Sequence, residues 1–135
     1  MGNGRTLLVG RINTPWPEDL TYDGKNFWHI ENNPTDDKYG IYAISPDSGS
    51  VMAHFTSNDK DLRGLEWANG KLWVSSLRGM VYEVDPNKAT ANDKLEAGIL
   101  RKFPGMYSRL FFAESYLWGL DVEAKRICKI KITDQ

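Results

Sequence analysis

The stretch Leu65-Glu66-Trp67-Ala68-Asn69-Gly70-Lys71-Leu72-Trp73 decides the fold, because two other segments align with it without a gap. They are Leu20-Thr21-Tyr22-Asp23-Gly24-Lys25-Asn26-Phe27-Trp28 and Leu110-Phe111-Phe112-Ala113-Glu114-Ser115-Tyr116-Leu117-Trp118. The leucines at 20, 65 and 110 and the tryptophans at 28, 73 and 118 recur at the same period of 45 residues. Tyr22, Trp67 and Phe112 share a phase, as do Phe27, Leu72 and Leu117. A fixed period of this size marks a stack of supersecondary units, each burying its apolar face on the next.

Each unit reads as β. Asp23-Gly24 and Asn69-Gly70 are hairpin signals, since both central residues of a type I′ turn need positive φ; Glu114-Ser115 is a weaker signal at the same place. Further strands are expected over residues 40–45, 80–85 and 126–132, where Ile41, Val81 and Ile127 correspond. Ser45-Pro46-Asp47-Ser48-Gly49 and Asp85-Pro86-Asn87 read as closing turns. Fourth strands follow over 51–55 and 99–103, and residues 87–98 read as a short helix or a surface loop. Four strands in 45 residues is the content of a β-propeller blade. The expected fold is therefore all-β, with three blades over about 17–55, 62–103 and 105–132, in one domain spanning 1–135. A solenoid and a sandwich are the rival readings.

The third unit reaches Gln135 without a fourth strand, while a spare strand is expected over 6–12, Thr6-Leu7-Leu8-Val9-Gly10-Arg11-Ile12. Propellers close with about four to eight blades. Three blades alone leave two apolar faces in water, and two chains cover both. The expected assembly is a homodimeric six-bladed propeller in which each N-terminal strand completes the partner's third blade. Strand exchange also removes open sheet edges. A fragment, or half of a heteromer, is the competing reading.

Composition narrows the function classes. Seventeen basic residues face 18 acidic ones, a net charge of -1, so nothing favours nucleic acid or an anionic membrane as partner. A single cysteine, Cys128, excludes an intrachain disulfide. No apolar run approaches the roughly 20 residues that span a bilayer, and the N-terminus lacks a signal-peptide pattern, so a soluble cytoplasmic protein is expected. Met1-Gly2-Asn3-Gly4-Arg5-Thr6 fits a myristoylation pattern only at the level of chance. P-loop, dinucleotide and nucleophile-elbow motifs do not occur, and no cofactor is expected.

The run from Leu65 to Val74, continuing through Val81-Tyr82-Glu83-Val84-Asp85-Pro86, resembles the blades of bacterial YncE-like, NHL-like and glutaminyl cyclotransferase-like propellers. Leu62-Arg63-Gly64-Leu65-Glu66-Trp67 looks like the Leu-Glu-Trp strand of the cyclotransferases, where a glutamate sits at the active site; the resemblance implies that role for Glu66. Where that family carries an Asn-x-Trp element, this chain has Val74-Ser75-Ser76-Leu77.

Candidate site residues come from the first strand of each unit, which lines the channel of a propeller. Two positions before the repeated leucines stand Glu18, Arg63 and Ser108, and one before stand Asp19, Gly64 and Arg109. Charge varies here while the apolar positions do not, which suits either a small polar ligand or a water-filled channel with paired charges. Arg63 and Arg109 are the candidates to hold a carboxylate or phosphate, because a guanidinium offers a bidentate fork. His29 reads as a blade-face residue with one hydrogen-bond partner, His54 as exposed, and Cys128 as a small buried apolar residue. The acidic loop over 32–37 lacks the pattern of a calcium loop, and no metal site is expected. The repeated tryptophans read as wedges between blades; Trp16, in a connecting segment, is expected to face a ligand or a partner chain.

Two functions remain. The first is a non-enzymatic binding or scaffold protein recognising a small polar ligand or a peptide. The second is a cyclotransferase-, hydrolase- or lyase-type enzyme using Glu66, Glu18 or Asp19 as general base, whose pKa burial would have to raise. Deleting residues 1–13 is expected to dissociate or aggregate the protein, read by size-exclusion chromatography. A soluble truncated chain with an unchanged assembly state contradicts strand exchange.

Overall fold

The computed structural model describes residues 17–132, with Gly4 and Thr6. The expected strand over 6–12 falls, apart from Thr6, outside the described residues, as does Trp16. Among the described residues, 11 strands and two short helices form three antiparallel sheets of four, four and three strands. Sheet I is β1 (Pro17–Tyr22), β2 (Phe27–Asn33), β3 (Lys38–Ile44) and β4 (Val51–Thr56). Sheet II is β5 (Leu62–Ala68), β6 (Lys71–Ser76), β7 (Met80–Val84) and β8 (Ile99–Pro104), with α1 (Pro86–Asn92) and α2 (Leu95–Gly98) between its last two strands. Sheet III is β9 (Arg109–Ala113), β10 (Tyr116–Asp121) and β11 (Arg126–Ile130). Each sheet is a meander, its strands paired in chain order, so the 45-residue period of the sequence is the period of the sheets.

The hairpin turns explain part of the repeat. Asn69 and Gly70 have φ of 54° and 74°, as a two-residue primed turn requires. Glu114 and Ser115 take the same form, with φ of 54° and 65°, so the fold imposes the turn where the residues do not favour it. Asp23-Gly24 differs: only Gly24 has positive φ, 96°. The Asp23 carboxylate accepts the N–H groups of Lys25 and Asn26, both at 2.7 Å, and an Asx-type turn replaces the primed one. Each repeated tryptophan ties down its own hairpin. Trp73 Nε1 donates to the Ala68 carbonyl at 3.1 Å and Trp118 Nε1 to that of Ala113 at 2.9 Å. Trp28 Nε1 instead meets the Asp23 carboxylate at 2.7 Å.

Asp85-Pro86-Asn87, expected as a simple turn, starts α1. Asp85 is its N-cap, accepting the N–H groups of Asn87 and Lys88, and Pro86 opens the first turn. The ambiguous stretch that follows is therefore helical. Leu95 and Ala89 are fully buried and join the core between sheets I and II.

The sheets stack face to face in one sense. Trp28, Ile30, Ile41, Ala43 and Phe55 share one face of sheet I and pack on Leu65, Leu72, Val74, Tyr82 and Val84 of sheet II. The other face of sheet II offers Trp73 and Val81 to Leu110, Leu117 and Ile130 of sheet III. The tryptophan-bearing face of one sheet thus always meets the leucine-bearing face of the next. Gly64 permits the second approach: a Cβ there would press on Ser75 Oγ of its own sheet and would lie 3.0 Å from Leu110 N and 3.1 Å from the Arg109 carbonyl carbon of sheet III. Gly64→Ala is expected to lower stability by about 1–3 kcal/mol through overpacking against Ser75 and sheet III, measured by urea unfolding; an unchanged midpoint contradicts these tight contacts.

Candidate functional site

The first strands β1, β5 and β9 lie side by side, yet no ladder joins them. A first strand has a sheet neighbour on one edge only, so N–H groups on its other edge need acceptors. Side chains from the preceding sheet supply them. Asp19 Oδ2 accepts Leu65 N–H at 3.0 Å. Thr21 Oγ1 accepts Trp67 N–H at 3.0 Å and donates to Glu66 Oε1 at 3.0 Å. Glu66 Oε2 then accepts Phe112 N–H at 2.7 Å. Thr21 and Glu66 occupy one repeat position and do the same work one unit apart.

This assigns two of the three candidate carboxylates, Glu66 and Asp19, differently from a free general base. Glu66 spends both oxygens on the neighbouring strands. Asp19 likewise spends Oδ2 on Leu65 and Oδ1 on its own Leu20 N–H at 2.9 Å. Sequence reasoning missed this bridging. Its only trace was that Thr21 and Glu66, both acceptors, fall at equivalent places.

Glu18 and Arg63 stand at equivalent irregularities. The β1–β2 register shifts between Pro17 and Leu20, and the β5–β6 register between Leu62 and Gly64. Such bulges turn a side chain away from the alternating pattern of its strand. Arg63 is half-buried and its Nη1 donates to the Leu62 carbonyl at 2.9 Å. Ser108 precedes β9, its hydroxyl donating to the Leu120 carbonyl at 3.1 Å. Arg109 is exposed and donates to the Ser108 carbonyl at 2.7 Å. Among the described residues, neither guanidinium is paired with a carboxylate. The two arginines sit on neighbouring strands in different settings: Arg109 stands opposite Leu120 on the outward face of sheet III, whereas Arg63 lies in the β5 bulge.

A second polar cluster was not anticipated. The register aligns His29, Tyr42 and His54 across β2, β3 and β4. The rings of His29 and Tyr42 stack at 5.3 Å, and those of Tyr42 and His54 lie 4.3 Å apart. Buried Glu31 adjoins them, and a cleft of about 450 Å³ opens beside Tyr42 and His54, lined also by Glu31, Tyr39 and Lys60. Burial and then the Glu31 carboxylate push the Tyr42 hydroxyl up to about 12. Burial and the Asp59 carboxylate do the same to Tyr82 in the I–II core. His54, expected as exposed, is half-buried, with its Nδ1 3.5 Å from Asp93; β4 turns it toward Tyr42. His29 is buried, with one backbone partner, the Ile30 carbonyl at 3.3 Å. Cys128 is half-buried in β11 rather than enclosed. Among the described residues no group of three or more His, Cys, Asp or Glu is placed to hold a metal ion, and no helix is long and apolar enough to cross a membrane.

No family model matches this chain, and no curated protein matches it.

Two outcomes follow from these contacts. Glu66→Ala strands the Phe112 N–H and is expected to cost about 1–3 kcal/mol, while Glu66→Gln, which keeps an amide oxygen, costs less; urea unfolding of both variants checks the order. Burial lowers the His29 pKa below 6.5. The unfolded chain therefore binds the proton first as pH falls. Stability is full above about pH 6.5 and declines below it until the folded pKa is reached. Unfolding midpoints at about pH 7.5 and 5.5 should differ in the wild type and differ less in His29→Gln.

Proposed function

We propose that the chain is half of a six-bladed β-propeller, closed by a second copy, that binds a small polar ligand or a peptide through a carboxylate or phosphate. Each sheet is one blade and the first strands line the channel. The binding reading rests on one observation: the first-strand carboxylates Glu66 and Asp19 are committed to backbone N–H groups, while the Arg63 guanidinium bonds only a preceding carbonyl among the described residues. A residue holding two strands together is poorly placed to move a proton. An arginine turned by a bulge toward a channel can grip an anion bidentately.

The assembly reading is supported by the two faces left over. On sheet III, Phe111, Leu120 and Ile127 are 64%, 39% and 76% exposed and share the tryptophan-bearing face with Trp118. On sheet I, Leu20 and Tyr22 are 55% and 49% exposed on the leucine-bearing face. These are the two kinds of face that meet inside the chain. Sheet III also stops at β11 among the described residues, where β4 and β8 complete the other two; the partner's residues 6–12, expected from sequence to form a strand, are the proposed cover for that edge. Three blades turned twice close a ring with twofold symmetry.

Calorimetric titration of the dimer with inorganic phosphate and with a tripeptide bearing a free C-terminus tests the ligand class. Saturable binding of one of them, weakened at least about tenfold by Arg63→Ala, is the expected result. Neither probe binding, or binding indifferent to Arg63, contradicts it.

A further inference from the structure

The repeat also fixes what the outward face of sheet III would touch. Positions 19, 64 and 109 are equivalent. Between sheets I and II, Asp19 reaches the Leu65 N–H, at the peptide joining Gly64 to Leu65. Between sheets II and III, the side-chain direction of Gly64 meets the peptide joining Arg109 to Leu110, where a Cβ would lie 3.0 Å from Leu110 N. In both junctions the first member faces the peptide one unit further on. A third step of the same kind carries Arg109 to the peptide joining Asp19 to Leu20 in another chain.

The residues at that step complement each other. Arg109 has no acceptor to offer the Leu20 N–H. That N–H is already satisfied by its own Asp19 Oδ1 at 2.9 Å, which also places a carboxylate oxygen on the side where the arginine arrives. Arg109 stands on the outward face beside Leu120 and Ile127, at the edge of an apolar hollow of about 450 Å³. The neighbouring position changes in the same sense. Thr21 and Glu66 bridge to Trp67 and Phe112 N–H, but their equivalent is Phe111. The same step sets Phe111 against Tyr22, so the polar bridge gives way to an aromatic contact. A face bearing Phe111 and Arg109 would be a poor copy of the internal junctions, but it suits a face bearing Tyr22 with the Asp19 Oδ1 held beside it on the Leu20 N–H.

We infer that Arg109 of one copy pairs with Asp19 of a second copy, and that this pair keys the outward face of sheet III to the open face of sheet I. The inference rests on the two-chain reading above and adds the contact that sets its polarity. Arg109 is then a junction residue, and the anion site falls to Arg63. Each dimer contains the pair twice.

Sedimentation velocity over a dilution series tests it with a double-mutant cycle: wild type, Arg109→Ala, Asp19→Asn and the double variant. Asparagine keeps an oxygen for the Leu65 N–H while removing the charge, and any fold cost it carries cancels in the cycle. Each single variant is expected to weaken dimerisation about tenfold, roughly threefold for each of the two pairs. The double variant should be little weaker than the weaker single, and Arg109→Lys should recover part of the loss. Additive or absent effects in a wild type that dimerises overturn the Arg109–Asp19 pair alone. A monomeric wild type overturns the two-chain reading and the pair with it.

Discussion

The open edge of each first strand is the constraint on which the rest of this structure depends. A β-strand with a sheet neighbour on one side only leaves N–H groups that must be paired. In this chain they are paired by side chains from the preceding sheet, one period earlier in sequence: Asp19 to Leu65, Thr21 to Trp67, Glu66 to Phe112. These bonds hold β1, β5 and β9 side by side without merging the three sheets into one. They also fix the order of faces, so that Trp28 and Trp73 each drive into the sheet that follows. Apolar burial stabilises the stack, and the bridges set its register.

That division of labour governs which residues remain for recognition. The same carboxylates that would make attractive catalytic bases are taken up by the backbone. Besides the Glu18 carboxylate in the β1 bulge, what remains on the first strands is basic or neutral: Arg63 in the β5 bulge, Ser108 before β9, and Arg109 on the outward face. On the proposed reading, Arg63 serves the ligand and Arg109 serves the second chain. The exposed Phe111 marks where the bridging pattern ends, and with it the chain's ability to cover itself.

Much of the architecture was legible in the sequence, since the repeated leucines and tryptophans and the Asn69-Gly70 turn each have a direct geometric cause. Sheet membership and strand order followed from the period. The misses have physical reasons. Asp85-Pro86 serves equally as a turn and as a helix N-cap with proline in the first turn, and only the burial of Ala89 and Leu95 selects the helix. Asp23 replaced a primed turn with its own carboxylate. Glu66 resembled an active-site acid because a bridging acceptor and a general base are the same residue type; the partner N–H of Phe112 lies 46 residues away. The His29, Tyr42 and His54 row depended on the β3–β4 register, which contains a bulge that sequence alternation does not reveal.

The central claim is that the outward face of sheet III and the open face of sheet I are halves of one junction, brought together by two chains. The mass of the protein in solution, measured by light scattering across a dilution series, tests this most directly. Twice the mass of one chain, persisting on dilution, is the expected result. A single-chain mass at every concentration contradicts the pairing of those faces.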